Sequence, residues 1–584
     1  MVGEIDLAKS EFSNSRSDKQ LFETPVLIVG AGPAGQMAAL MLSYQGIAST
    51  IVERRIERSS APKAHAVNGR TLEICATHGV DIDRIYELAT PAEQGGFVQF
   101  MSTLSGVAFG HLPYERQDDA VREFTPYPLA NISQPNFERE LSNAVDQRPD
   151  ISVLHGFTCT AIQQDETGVT ASIDGKGSSA PLQVRCRYLL AADGASSRIR
   201  GMLDISMEGP EALQHFMAIH FHADLSTCVK NNPGILYFLM DPEVSATMIA
   251  FDHSDNWVLM HSCTEEEQDT ALFDAARCTT LIQRAIGMQV TDIRVRNVNP
   301  WTMSSQVAEH YRSGRVFLVG DAAHRFPPTG GLGLNTGIGD VQNITWKIAA
   351  VERGWAGESL LDTYQTERKP VAEVNSAQSL NNAMKMFELF AYLYGNDPEN
   401  AAERFNQAKR EGSGSIALQQ AIEAQRPHFD SLRLQLGYSY DEVDQRNELS
   451  EAVNISEYEP SFKVGKSLPH VWVNNNYQRV SLLQILPVDR FAMIAFSDHS
   501  EWQSALEQLN LPIYLLADGD SFMGVAAAWS DAPELADVSA LLIRPDRHIA
   551  AVFAMTNESK LERLRGALTA VLFNSSLESA QEYV

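Results

Sequence analysis

Three glycines near the start of the chain have the spacing of a phosphate-binding turn. Gly30, Gly32 and Gly35 form the pattern G-x-G-x-x-G directly after the apolar run 26–29. In this pattern the first glycine permits a tight turn, the second lets backbone N–H groups approach a pyrophosphate, and the third lets helix and strand pack closely. The helix that follows directs its positive dipole end at the phosphates. The segment therefore predicts a dinucleotide-binding turn.

An acidic residue stands where the second strand of such a unit should end. Residues 49–52 form the predicted strand, and Glu53 follows it at the place where a carboxylate can bind an adenosine ribose. The alternative is a transmembrane helix, because residues 25–42 carry no charge. Pro33 and the three glycines would leave backbone groups unpaired in lipid, which favours the dinucleotide-binding interpretation.

Length and charge narrow the class of protein. With 584 residues the chain is too long for one core, so we expect several domains. A net charge of −28 disfavours nucleic acid or an anionic membrane surface as a partner. The six cysteines contain no C-x-x-C pair, which predicts reduced thiols in a cytoplasmic protein. Residues 1–22 lack the apolar core of a secretory signal and are predicted to be a flexible lead-in.

A second glycine-rich segment follows the apolar strand predicted at 316–319. The strand ends in Gly320 and Asp321, and a loop at 327–333 rich in proline and glycine precedes a predicted helix. Glycine at this density lets backbone amides line a flat ligand, and Asp321 could bind ribityl or ribose hydroxyls. A flexible linker is the alternative, but linkers are not normally preceded by a buried strand.

Asp193 and Gly194 form a third motif, at the end of a strand predicted at 188–192. Such a turn can meet a phosphate or a ribose, although taken alone it is more typical of a surface turn. A helix entered through Asn68 is expected to bring Arg70 close to the first turn. Residues 207–300 alternate in short apolar strands, which predicts an antiparallel sheet that could cover a pocket.

These features in this order resemble the FAD-dependent aromatic hydroxylases of the para-hydroxybenzoate hydroxylase fold, in particular the branch with phenol hydroxylases and chlorophenol monooxygenases. The segment 544–550, RPDRHIA, resembles the thioredoxin-like domain of that branch. The resemblance implies an α/β protein with a Rossmann-like FAD-binding domain, an inserted antiparallel-sheet substrate domain and a C-terminal thioredoxin-like domain. The predicted ranges are 23–206 with 301–400 and a helical extension to about 458, then 207–300, and then 460–584, which contains no cysteine.

The resemblance also implies FAD as cofactor, with NADH or NADPH as a transient electron donor. No second strand-linked G-x-G-x-x-G is present for the donor, which fits brief binding at a shared surface. The family usually has Arg at Lys63, and Lys loses the bidentate contact to a phosphate. The cofactor-binding residues predicted in this way are Gly30, Gly32, Gly35, Glu53, Lys63, Arg70, Gln134, Asp193, Gly194, Asp321, Pro328, Gly330, Gly331, Gly333, Leu334 and Asn335.

The implied reaction is hydroxylation of a phenolic substrate by O₂ through a flavin C4a-hydroperoxide. His65 is the candidate base for the phenol proton, because its ordinary pKa lies near neutrality; a histidine that fixes its loop is the alternative. Tyr237 is a second catalytic candidate, with core packing as its alternative. His220 and His222 share a strand face, but the sequence shows no third ligand that would predict a metal site.

Two other functions stay open at this point. A Baeyer–Villiger oxygenase on the same fold would use the same motifs, and a non-catalytic flavin-binding scaffold belongs to another class. The predicted sheet is rich in Phe, Met, Ile and Leu, which favours alkyl-, halo- or polycyclic phenols over ring carboxylates as substrates. The protein is expected to be a homodimer, with no membrane or nucleic-acid partner.

Overall fold

A computed structural model describes residues 21–58, 64–175, 181–244, 246–395, 400–441, 444–445, 454–475 and 477–573. Lys63 and residues 1–20 of the predicted lead-in lie outside these ranges. Within them, no helix combines the length and the apolarity needed to cross a bilayer.

The first domain is built on a parallel sheet whose central strands are buried on both faces. Across the sheet, the parallel strands are Val316–Leu318, Leu182–Ala191, Leu21–Val29, Ser49–Glu53 and Ile151–His155. Antiparallel strands extend it at Arg312–Ser313, Phe157–Asp165 and Gly168–Gly175. Helices Pro33–Tyr44, Gln134–Asp146 and Leu332–Glu352 cover it. This parallel sheet with buried central strands is the predicted Rossmann-like domain.

The second domain is a seven-stranded sheet. Its order is Arg294–Met303, Gln214–His222, Asn256–Cys263, Ala246–Asp252, Leu236–Leu239, Phe97–Met101 and Ala108–Pro113. All neighbours are antiparallel except the parallel pair Leu236–Leu239 and Phe97–Met101. The last two strands come from the range 23–206, so the sheet extends beyond the predicted range 207–300. Helix Ala275–Ile286 packs on one face through the apolar cluster that contains Met217, Trp257 and Ile282.

A helical segment leads from the first domain to a four-stranded C-terminal domain. Its helices are Thr363–Tyr394, Ala401–Glu411, Ile416–Glu423, Arg426–Phe429 and Leu432–Leu436. The C-terminal sheet has the order Ile513–Leu516, Phe491–Ala495, Val538–Ile543 and Ile549–Ala554, with the first pair parallel and the others antiparallel. Helices His499–Leu506, Asp520–Ala528 and Lys560–Phe573 complete this thioredoxin-like domain.

Short elements connect these layers. The two-stranded pair Ala66–Val67 and Ala130–Asn131 leads into helix Gly69–Thr77, and a small sheet joins Met207–Glu208, Gln306–Ala308 and His324–Arg325. The remaining short helices and strands include Ile82–Leu88, Ala92–Gly95, Arg198–Met202, Ser226–Val229, Leu482–Ile485, Trp472–Asn475 and Gln478–Ser481.

Candidate active site

The first glycine turn lies directly beside the Asp193 turn at the carboxyl edge of the parallel sheet. Gly30 has a φ of +109°, and a Cβ atom on it would lie 2.3 Å from the Ala192 carbonyl oxygen. A Cβ atom on Gly35 would lie 2.0 Å from the Gly30 carbonyl oxygen. Both positions therefore require glycine, because the strand, the turn and the helix meet through backbone atoms.

Gly32 differs from these two glycines because the space beside it is open. No heavy atom lies within 4 Å of the place where its Cβ would stand. Gly32 is the residue that precedes helix Pro33–Tyr44, so the open space adjoins the helix N-terminus. A helix N-terminus that a ligand can approach closely suits a pyrophosphate.

Glu53 holds the same turn from the next strand. Its Oε2 accepts a hydrogen bond from the Ala31 N–H at 2.9 Å, and its Oε1 accepts one from the Arg55 N–H at 2.8 Å. Glu53, Gly32, Arg58, Val153 and His155 line one cavity. The carboxylate thus lines a cavity next to the first glycine turn, and its contact with a ribose stays a prediction.

The Gly320 turn contacts the first turn from the other side. Gly320 has a φ of +59°, and its Cβ position lies 3.3 Å from the Ala34 Cβ. Arg200, which follows the Asp193 turn, donates from Nη1 to the Ala322 carbonyl oxygen at 2.9 Å. All three motifs therefore meet at one edge of the sheet. Asp321 and Pro328 lie exposed there.

A buried carboxylate holds the Gly320 turn in place. Asp340 accepts hydrogen bonds from the Gly320 N–H at 3.1 Å, from His324 Nε2 at 2.8 Å and from Arg368 Nε at 2.9 Å. Burial alone would raise the pKa of Asp340, but His324 and Arg368 together lower it below its ordinary value. Asp340 is therefore ionised and fixes the turn that carries Asp321.

The glycine-rich loop ends at the N-terminus of helix Leu332–Glu352. Gly330 and Gly331 adopt left-handed conformations with φ of +115° and +64°, and Gly333 faces open space like Gly32. Leu334 packs against the core of the first domain. This second open helix N-terminus can accept the electron-rich edge of a flat ligand through backbone N–H groups.

Asn335 ties this loop to the segment before helix Gly69–Thr77. Its Nδ2 donates to the Ala66 and Gly331 carbonyl oxygens at 3.0 and 2.8 Å. Its Oδ1 accepts from the Asn68 N–H at 3.1 Å and from the Thr71 hydroxyl at 2.8 Å. Both the nitrogen and the oxygen of the amide are thus hydrogen-bonded. Asn335 therefore holds the glycine-rich loop against the segment that leads into helix Gly69–Thr77.

Aromatic side chains from the second domain face this loop. The Tyr114 hydroxyl oxygen lies 3.6 Å from the Cβ position of Gly331, and the Ala66 Cβ lies 3.0 Å from it. The ring of His65, next to Ala66, lies 5.5 Å from the Tyr114 ring and 6.2 Å from the Phe251 ring. The rings of His65, Tyr114 and Phe251 therefore form an aromatic cluster beside the second helix N-terminus.

Comparison with known proteins agrees with this geometry. Residues 23–379 match the family model of an FAD binding domain, and residues 462–574 match that of the aromatic-ring hydroxylase C-terminal domain. The chain belongs to the FAD-dependent aromatic hydroxylases. The predicted family and the predicted FAD cofactor are thereby confirmed.

Relatives and solved structures match the hydroxylase along nearly its whole length. It is 30% identical to a tetracenomycin A2 monooxygenase-dioxygenase of Streptomyces glaucescens, over 95% of this chain and 98% of the relative. It is 27% identical to a 2,4-dichlorophenol 6-monooxygenase of Delftia acidovorans, over 94% and 98%. The flavin-dependent monooxygenase PieE, solved with FAD and substrate, superposes with a TM-score of 0.84 at 29% identity, over 94% of this chain and 99% of that one.

Two predicted site residues of the hydroxylase lie elsewhere. The Arg70 guanidinium binds Glu73 at 2.6 Å and the Ser467 hydroxyl at 2.5 Å, so it joins the first domain to the segment before the C-terminal sheet. Tyr237 is fully buried on the helix-covered face of the seven-stranded sheet, where its hydroxyl donates to the Asn232 carbonyl oxygen. Neither side chain reaches the site, and core packing is the correct interpretation of Tyr237.

Two further predicted residues are at the site but are engaged within the chain. The Asp193 carboxylate accepts from the Ser197 hydroxyl at 2.5 Å and from the N–H of Arg198 at 2.8 Å, so it caps helix Arg198–Met202. Gly194 beside it has a φ of +83°. Gln134 pairs with Ala64, whose N–H donates to the Gln134 Oε1 at 3.2 Å. Their contact with the cofactor stays a prediction.

Proposed function

We propose that the hydroxylase uses NADH or NADPH and O₂ to add a hydroxyl group to a phenolic ring. The observation that carries the proposal is the cluster of the His65, Tyr114 and Phe251 rings next to the N-terminus of helix Leu332–Glu352. Aromatic rings beside a helix end that suits a flavin ring support an aromatic substrate. Relatives named as dichlorophenol and nitrocatechol monooxygenases support a phenol as substrate.

The residues present fit FAD at both of its ends. The open space at Gly32 and the Glu53 carboxylate suit the pyrophosphate and the adenosine ribose, while the Gly320 turn and the open N-terminus at Gly333 suit the ribityl chain and the ring. Bound FAD would supply the redox chemistry, taking electrons from NAD(P)H and activating O₂. The protein's part is to orient the substrate, exclude water and handle its proton.

His65 is the group we propose for the substrate hydroxyl. Burial lowers the pKa of His65 to about 4, only partly offset by its hydrogen bond with Asn131, so the ring is neutral at pH 7. The pKa in the folded protein thus lies below the ordinary, near-neutral value that suggested a base, and the role of His65 as the base stays a prediction. A neutral imidazole is still a good hydrogen-bond acceptor, and the hydroxyl proton becomes far more acidic as the ring gives electrons to oxygen. We propose that His65 takes the proton at that stage.

The aromatic residues next to His65 favour an uncharged ring as substrate. On the face of the sheet opposite Tyr237, the Phe238 and Phe100 rings lie 5.5 Å apart and both pack against Phe429. Phe429 in turn lies 6.3 Å from Tyr114. This aromatic cluster favours alkyl-, halo- or polycyclic phenols, because it offers dispersion contacts rather than a partner for a carboxylate.

A substrate panel tests the proposal. FAD-loaded protein is incubated with NADH or NADPH, O₂ and a series of phenols and cyclic ketones, and product mass is followed with ¹⁸O₂. We expect phenols to stimulate NAD(P)H oxidation and to gain one labelled oxygen on the ring. Ester or lactone formation from ketones, with no product from any phenol, would instead identify a Baeyer–Villiger oxygenase.

A further inference from the structure

The side chain of Asn131 is held rigidly beside His65. Asn131 is 1% exposed, and its backbone pairs with Ala66 in the two-stranded connection. The backbone carbonyl oxygen of Asn131 accepts a hydrogen bond from the Thr90 N–H at 2.7 Å. Ile132, the next residue, donates from its N–H to the His65 carbonyl oxygen at 2.8 Å. The two side chains therefore keep a fixed relative position.

A second contact determines which way the Asn131 amide faces. Its Nδ2 donates to the Gly95 carbonyl oxygen at 3.1 Å. The reverse orientation would set the Asn131 Oδ1 against that carbonyl, so that two acceptors would face each other without a proton between them. The Oδ1 atom is thus directed at His65 Nδ1, at a distance of 3.1 Å.

This orientation selects one tautomer of His65. Oδ1 of an amide can only accept a hydrogen bond, so Nδ1 of the neutral imidazole must carry the proton. Nε2 then carries the free lone pair, and no residue in the described part of the chain donates a hydrogen bond to it. The rings of Tyr114 and Phe251 pack beside the same imidazole, with centroids at 5.5 and 6.2 Å.

We propose that Asn131 is a positioning residue that keeps His65 in the Nδ1–H tautomer, so that Nε2 accepts the hydrogen bond from the substrate hydroxyl. This inference rests on the proposed hydroxylation of a phenol for its catalytic consequence, but not for the tautomer itself. In the opposite tautomer Nε2–H would donate to the substrate oxygen and could not take its proton. Asn131 would thus act on turnover without touching the substrate.

The tautomer can be measured without turnover. In FAD-loaded protein labelled with ¹⁵N-histidine, the two ring nitrogens of each neutral histidine have distinct chemical shifts, and the His65 signal is assigned by its loss in His65→Gln. We expect a protonated Nδ1 and an unprotonated Nε2 in the wild-type protein. In Asn131→Ala we expect the Nε2–H form to become populated. A wild-type His65 that is mainly Nε2–H would overturn the proposal.

Kinetics of the same variants test the catalytic consequence. Asn131→Ala should lower kcat for hydroxylation by up to about tenfold, with KM and the FAD dissociation constant within about threefold of wild type, because only the fraction of His65 that keeps the Nδ1–H form can take the proton. Reduced flavin should then form more H₂O₂ per NAD(P)H. Wild-type kcat in a variant with a shifted tautomer would contradict the role assigned to Asn131.

The matched variant Asn131→Gln and the variant His65→Gln separate the possible failures. Asn131→Gln keeps the amide on a longer side chain that can still reach Nδ1. Relative to Asn131→Ala, we expect this variant to regain part of kcat together with the Nδ1–H signal. Should His65→Gln hydroxylate at the wild-type rate while the tautomer is as predicted, the proposed function of His65 fails and the structural inference stands.

Discussion

A Cβ atom added to Gly337 would lie 2.9 Å from the Cα of Gly320. The turn at Gly320 and helix Leu332–Glu352 therefore touch through backbone atoms alone. This contact sets the distance between Asp321 and the helix N-terminus at Gly333, the two groups that we propose for the ring end of FAD. Glycine at both positions is a requirement of the site's geometry.

Gly337→Ala should separate these two elements. The added methyl group meets backbone atoms that cannot rotate away, so we expect a loss of about 1–3 kcal/mol in the free energy of unfolding and weaker FAD binding. Denaturant unfolding and flavin titration measure the two effects. Gly566→Ala is the control, because open space surrounds that helical glycine and the C-terminal domain carries it. Equal behaviour of the two variants would contradict the interpretation.

Gly32→Val should damage binding and leave the fold intact. Open space surrounds the Gly32 Cβ position, and its φ of −72° suits any residue, so the unfolding midpoint of the flavin-free protein should not change. The side chain would occupy the place of the pyrophosphate, and FAD affinity should fall by at least about tenfold. A variant that still retains FAD through gel filtration would show that the phosphates bind elsewhere.

His65→Ala should retain FAD and lose hydroxylation. Removing the acceptor for the substrate proton should lower product formation by about 10²-fold or more, while NAD(P)H oxidation continues with release of H₂O₂. Product yield per NAD(P)H is the measurement. Tyr237→Phe is the matched control, since that hydroxyl donates to the Asn232 carbonyl oxygen in the core; a loss of coupling there would return Tyr237 to the mechanism.

Glu115 should make stability depend on pH. Burial raises its pKa to about 7, although the Ser431 and Gln435 side chains donate hydrogen bonds to it. The folded protein then holds a proton that the unfolded chain loses near its ordinary pKa of about 4.3, so this group's contribution to stability falls as pH rises through 7. Glu115→Gln should gain roughly 1 kcal/mol relative to wild type between pH 6 and pH 8. Parallel stability curves for the two proteins would refute the shift.

Arg544 should couple the C-terminal domain to the FAD-binding domain. Its guanidinium binds Glu367 through two hydrogen bonds of 2.8 Å and also binds Asp546, while Lys347 contacts Glu367 at 2.7 Å. Burial would raise the pKa of Glu367, but Arg544 and Lys347 lower it to about 2. Arg544→Ala removes the cation that the buried Glu367 and Asp546 share, which leaves Lys347 alone with Glu367, and should cost about 3–5 kcal/mol in unfolding free energy. Arg84→Ala, which removes the exposed ion pair with Glu87, should not change the unfolding midpoint.

The sequence predicted the cofactor end of the site because its determinants are local. Gly30, Gly35 and Glu53 lie within one strand–helix–strand unit, and each is required by the backbone next to it. At the second turn, Gly320 and Gly331 are likewise required by the positive φ of the backbone. Residues that the local backbone requires form a recognisable sequence pattern, so the fold and the cofactor could be identified without coordinates.

The substrate end could not be predicted in the same way. Alternation in residues 236–239 assigns Tyr237 to one face of a strand but does not tell which face the helix covers. In the structure Tyr237 lies on the helix-covered face, and Phe238 packs against Phe429 on the other. Arg70 follows Asn68 in the expected helix, yet its side chain reaches Ser467, almost 400 residues further along the chain. Tyr114 and Asn131 meet His65 only after the sheet has formed.

The parallel pairing of Leu236–Leu239 with Phe97–Met101 limits how substrate preference can be transferred between relatives. A graft of residues 207–303 alone would place foreign strands against the recipient's own 97–113 hairpin, with mismatched side chains across four paired positions. Chimaeras that exchange residues 97–113 and 207–303 together keep all four paired positions matched. These two segments together are therefore the unit to exchange when substrate specificity is to be altered.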